Sequence, residues 1–117
     1  MTRARVPVEV AELVRWRDRD RCLRCGTYTA GGSLHHRQGR GGADPHRAAN
    51  LILLCGSGTT GCHGYVHANP AESYGAGWMV RRLGTATCEG TPVLTPHGVV
   101  LLCEDGTTTP YSQKETA

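Results

Sequence analysis

The most constraining stretch of this chain is "RCLRCG". Cys22 and Cys25 stand two residues apart and are followed by Gly26, a spacing that forms a tight knuckle able to present both sulfurs to one metal ion. Cys55 and Cys62 lie downstream and could complete a four-thiolate site. A staple of this kind matters here. With 117 residues, 38% apolar content and no Phe, the chain can build only a thin hydrophobic core, and small domains of that type usually rely on disulfides or bound metal.

The N-terminal text "MTRARVPVEVAELVRW" lacks the apolar run and small-residue cleavage site of a signal peptide, and nothing approaches the ~18 apolar residues of a membrane span. The expectation is therefore a cytoplasmic protein with no membrane partner, in a reducing compartment where clustered cysteines more often bind metal than pair. Cys88 and Cys103 fall outside the cluster and read as core thiols.

Pro7 suits an early helical position, and Val10, Leu13 and Val14 recur at helical spacing. Residues 7–19 therefore read as an amphipathic helix with Arg15, Arg17 and Arg19 along its end. "SLHHR" reads as a brief strand, "QGRGGADPHRAA" as a polar loop, and "NLILLC" as a buried strand. "GSGTTG" is a flexible excursion before "CHGYVHANP", where His63 and His67 at i and i+4 share one helix face and Pro70 ends or bends the helix. Trp16 and Trp78 read as core or partly buried packing residues.

Residues 76–111 form a β extension. Turn signals at Pro-His-Gly and Glu-Asp-Gly separate two or three short strands, summarised as a C-terminal β-hairpin, and the tail "SQKETA" is expected to fray. No repeat or long linker interrupts the chain, so the expectation is one α+β domain over 1–117.

Two groups of ligating residues emerge. Cys22, Cys25, Cys55 and Cys62 could close a four-coordinate thiolate site, which has no free position and is structural. His35, His63 and His67 could form a second, open site whose imidazoles leave room for water and phosphate oxygens. Charge points the same way: residues 1–50 hold ten Arg against five acids, and residues 51–117 hold two Arg and one Lys against five. A basic half favours a polyanionic partner. Arg37, Arg40 and Arg47 lie near the open site in sequence and are candidate phosphate contacts, since guanidinium forks match phosphate oxygens.

The pattern "LHHR…ANLILLC…CHGYVH" resembles the His-Asn-His (HNH) nucleases, and the flanking cysteines resemble the subset of that family carrying a structural zinc. The resemblance covers roughly residues 16–70. It implies a ββα-metal core (His-Me finger, treble-clef-like), two strands and a helix around one divalent cation, beside a structural Zn²⁺ knuckle. It implies further that His35 is a metal ligand, that His36 is the general base, that Asn50 braces the loop and orients the base, and that His63 and His67 complete the metal site. The implied cation is Mg²⁺ or Mn²⁺, with Zn²⁺, Ni²⁺ and Co²⁺ also suited to imidazole. The implied partner is double-stranded DNA, contacted through its phosphate backbone. Small proteins of this shape are frequent in phage and actinobacterial genomes, which suggests the host cytoplasm and phage packaging proteins as partners. One departure stands out: the family's second cysteine pair is commonly separated by two residues, whereas six lie between Cys55 and Cys62.

The residue types fit the chemistry. A neutral imidazole with an ordinary pKa near ~6.5 can take a proton from water at neutral pH. Attack in line on the phosphodiester would leave 5′-phosphate and 3′-hydroxyl ends. Neighbouring side chains on a strand diverge, so His35 and His36 can share one site only if the strand ends or bends between them. The competing reading is a non-catalytic zinc-dependent nucleic-acid-binding module, which has no need of His36 beside a ligand. A redox or metal-storage protein would leave the His and Asn spacing unexplained.

Overall fold

The computed structural model describes residues 5–40 and 44–111. The tail after Tyr111, expected to fray, lies outside the described residues, as do Gly41 and Gly42 of the polar loop. The expected first helix runs over Val8–Arg17 (α1). Strand β1 follows at Ser33–His36. A single 3-10 turn at Ala48–Asn50 leads into strand β2, Leu51–Leu54. Helix α2 spans Gly61–Ala68, and α3 spans Pro70–Ala76. Strands β3 (Val93–Thr95), β4 (Gly98–Leu102) and β5 (Thr108–Pro110) finish the chain. The fold is thus α+β.

β2 is the spine. Its four apolar side chains are all fully buried, each contributing about 1.5–3 kcal/mol by leaving water. Side chains alternate across a strand, so Leu51 packs with Val14 of α1 and with Ala48, while Ile52 and Leu54 join Val66 of α2, Trp78, Val93 and Leu102 in the main core. β1 pairs antiparallel with β2, placing His35 opposite Ile52 and His36 opposite Leu51. The layout puts the histidine strand on one flank of the spine and α2 across its face.

The arginines at the end of α1 are tied inward. Arg17 chelates the Asp18 carboxylate at 2.7 and 2.8 Å and donates to the carbonyls of Ala48 and Leu51, and Asp18 accepts from the Leu53 amide at 3.0 Å. A buried charge is tolerable only when so satisfied. Arg15 donates to the carbonyls of Ala30 and Gly32. Trp16, expected to pack, is 71% exposed, because a position two residues past the buried Val14 lies about 200° around the helix, on the face turned from the core. Trp78 meets the expectation: it is buried, and its indole donates to the Leu94 carbonyl.

The helix through His63 and His67 breaks at Asn69 and restarts with Pro70 in its first turn, where a missing amide hydrogen costs nothing. The C-terminal strands form one three-stranded antiparallel sheet in the order β3-β4-β5 rather than a two-stranded hairpin. The third strand, "TTP", is exposed along its length and so carries no apolar alternation to announce it. Among the described residues no helix is long and apolar enough to cross a membrane.

Candidate functional site

The knuckle folds as its spacing requires. Gly26 adopts φ +81°, and its amide donates to the Cys22 carbonyl at 2.8 Å, reversing the chain between the two thiols. The long separation of Cys55 and Cys62 is absorbed by a loop that doubles back. Gly56 and Gly61 both take left-handed φ, and a Cβ on Gly56 would collide with the Thr60 carbonyl. Cys22, Cys25, Cys55 and Cys62 thereby bring their sulfurs within 4.8 Å of one another. The Cys25–Cys55 pair is 3.9 Å apart, close to the ~3.8 Å edge of a tetrahedron with Zn–S bonds of ~2.3 Å. The cluster could therefore bind a structural metal such as zinc.

Its electrostatics fit that use. Amides donate to sulfur at Cys22 and Cys55, and Arg24 donates to Cys62 Sγ at 3.3 Å while lying over the Tyr65 ring. Burial and the neighbouring thiols push Cys62 up to about 12, whereas at Cys25 burial is outweighed by hydrogen bonds from Thr27, Cys22 and Cys62, which hold it at about 6. A divalent cation is what allows four thiolates to coexist so close together.

The second cluster is built by β1 and α2. The His35 ring lies 5.1 Å, centroid to centroid, from those of both His63 and His67, which are themselves 4.9 Å apart. Their ligating nitrogens fall within 4.8 Å of one another. His35 is buried, and its Nε2 meets the Trp78 carbonyl at 2.9 Å. A carbonyl can only accept, so Nε2 carries the proton and Nδ1 keeps the lone pair able to ligate. His63 Nδ1 is buried with no hydrogen-bond partner, which is costly unless a cation fills the gap. Burial and the neighbouring His63 push His35 down to about 3, and burial with His67 lowers His63. Both rings are thus held neutral, the form in which imidazole binds metal.

His36 lies in the same cleft as His35, a space of about 800 Å³ that also holds His46, Arg40 and Arg82. The bend expected between the two histidines is absent: β1 runs through both and the chain turns only after His36, and because the pair ends the strand, the cleft wraps its end and is lined by both rings. Asn50 is buried at the foot of the loop. Its Oδ1 accepts from the Gln38 amide at 2.7 Å, and its Nδ2 donates to the carbonyls of Pro45 and Gly39 at 2.7 and 3.2 Å. One side chain therefore clamps both ends of the segment that follows His36.

The arginines divide. Arg37, expected at a phosphate, is buried in the core instead: its guanidinium donates to the carbonyls of Gly77, Ala49, Cys88 and Thr91 at 2.8 to 3.0 Å, and burial lowers its pKa to about 10. It is a structural bolt, buried and absent from the cleft lining, with four of its five N–H donors committed to backbone carbonyls. Arg47 turns from the cleft to Glu89 and Glu104, at 3.4 and 3.5 Å. Arg40 does line the cleft, and so does Arg82, which sequence reasoning passed over inside the β extension and which lies in no strand.

Cys88 is a core thiol, as expected, and also donates to Asn50 Oδ1. Cys103 is half-buried beside Thr109. Neither joins a metal-compatible cluster among the described residues. No family model, curated protein or solved structure matches this chain.

Proposed function

We propose that this chain is a metal-dependent endonuclease of the HNH type, hydrolysing phosphodiester bonds in double-stranded DNA. In this reading β1, β2 and α2 are the ββα-metal core and the four cysteines hold a structural zinc. The observation that carries it is the convergence of His35, His63 and His67 on a cleft that also contains His36. A structural site would have no use for an additional imidazole beside an open triad.

His35, His63 and His67 would hold a divalent cation, which when bound neutralises charge on the phosphate and leaving oxygens. His36 takes the proton from the attacking water. Asn50 fixes the turn that follows His36, so the base does not have to be ordered at each encounter. Arg40 and Arg82 hold the backbone phosphates at the cleft rim.

A plasmid-cleavage assay in EDTA, with Mg²⁺, Mn²⁺, Zn²⁺, Ni²⁺ and Co²⁺ then added back singly, tests the reading. Cutting that needs a metal and disappears in His36→Ala is the expected result. Retarded migration of DNA without cutting under every metal would favour the non-catalytic binding module.

A further inference from the structure

His46 stands beside Pro45 in a polar loop, with nothing in its spacing to mark it. In the folded chain its Nδ1 lies 3.1 Å from His36 Nε2, with the two ring centroids 5.2 Å apart. We infer that His46 is a positioning residue that fixes the orientation and tautomer of His36. This rests on the proposed endonuclease reading, in which His36 is the base.

The tautomers follow from the contact. Two neutral imidazoles this close can form a hydrogen bond only if one nitrogen carries a proton and the other a lone pair. If His46 Nδ1 were the donor, His36 would have its own proton on Nδ1 and its Nε2 lone pair occupied, so neither nitrogen could accept from water. The useful arrangement is the reverse: His36 Nε2–H donates to His46 Nδ1, and His36 Nδ1 keeps the lone pair a base needs. The second imidazole takes the part that a fixed acceptor plays for a catalytic histidine elsewhere.

His46 is itself well anchored. The Pro45 carbonyl just before it accepts from Asn50 Nδ2 at 2.7 Å, and the Asp44 carbonyl accepts from Arg47 at 3.0 Å. Asn50 thereby reaches His36 from two directions, through Gln38 on the strand side and through Pro45 and His46 on the loop side. The bracing role given to Asn50 acquires a physical route.

The test compares three variants. In His46→Asn the side-chain oxygen sits near the place of Nδ1 and can accept; in His46→Gln the amide is displaced by one bond; in His46→Ala the acceptor is gone. Expected results are cleavage within about 3-fold of wild type for Asn, and a fall in kcat of about 10- to 100-fold for Gln and Ala with KM nearly unchanged, the range of a misdirected general base. Long-range ¹⁵N–¹H spectra of the His36 ring give a reading independent of turnover. The Nε2–H tautomer should dominate in wild type and His46→Asn, and mix with the other in His46→Ala. Ala or Gln cutting as fast as wild type, or a His36 ring spectrum unmoved by His46→Ala, overturns the inference. If wild type cuts no DNA with any metal, the endonuclease reading falls on its own, and the ring spectra still decide whether His46 sets the state of His36.

Discussion

Cys62 and His63 are adjacent on the first turn of α2 and point to different clusters: Cys62 joins the four sulfurs, and His63 joins the imidazoles. The His63 amide also donates to the carbonyl of Cys55, a second cysteine of the sulfur cluster, at 3.0 Å. A metal held by the sulfurs would therefore fix the start of the helix that carries two of the three histidines. Removing it should disturb the open site without touching any of its ligands. Cys62→Ser and Cys22→Ser are expected to lose zinc and most of the folded population, since metal binding supplies much of the folding free energy in small zinc domains. Zinc analysis with circular dichroism decides it: a stable, folded, zinc-free variant would count against the structural site.

Asn50 offers a separate measure of stability. Asn50→Ala leaves the Gln38 amide and the Pro45 and Gly39 carbonyls without their partner, and each buried orphan costs about 1–3 kcal/mol. A loss of about 2–4 kcal/mol in denaturant unfolding is expected. Asn50→Asp should do no better, because a carboxylate cannot donate to two carbonyls and would face them with like charge. An Asp variant as stable as wild type would show that the donor side of Asn50 does not hold the loop.

Much of this was legible in the sequence where a signal is local. The knuckle follows from Cys-x-x-Cys-Gly, the two ligands of α2 from an i, i+4 pair, and β2 from an unbroken apolar run. Other features depend on partners far along the chain. Arg37 is read as a phosphate ligand because an arginine beside histidines in a glycine-rich stretch invites it, but its guanidinium is claimed by carbonyls 12, 40, 51 and 54 residues away. His46 finds its partner ten residues back across a turn. β5 is an exposed edge strand of threonines and proline, and so shows no pattern of burial.

Arg37 should accordingly behave as a core residue. Lysine has a point charge in place of a planar fork and cannot reach four carbonyls at once, so Arg37→Lys is expected to cost about 2–4 kcal/mol, within the range for breaking a buried polar network. Arg37→Met would remove the charge and leave the carbonyls of Gly77, Ala49, Cys88 and Thr91 unsatisfied. Both variants should lower the midpoint of thermal unfolding. An Arg37→Lys protein with wild-type stability and weakened DNA binding would return Arg37 to the phosphate role.

Arg82 should give the opposite pattern, because it lines the cleft from the surface. Arg82 is exposed, and its side chain packs against Gly39 on the segment clamped by Asn50. A surface substitution away from caps and cores changes stability by about 0.5 kcal/mol or less. Arg82→Ala should therefore leave unfolding nearly unchanged, and both it and Arg40→Ala should weaken binding of DNA across sequences. If each arginine neutralises one phosphate, its removal should reduce the slope of log affinity against log salt by about 1. Fluorescence-anisotropy titrations of a labelled duplex over a series of salt concentrations measure that slope. An unchanged slope in both variants would place the DNA on another face and leave the cleft without its proposed phosphate grip.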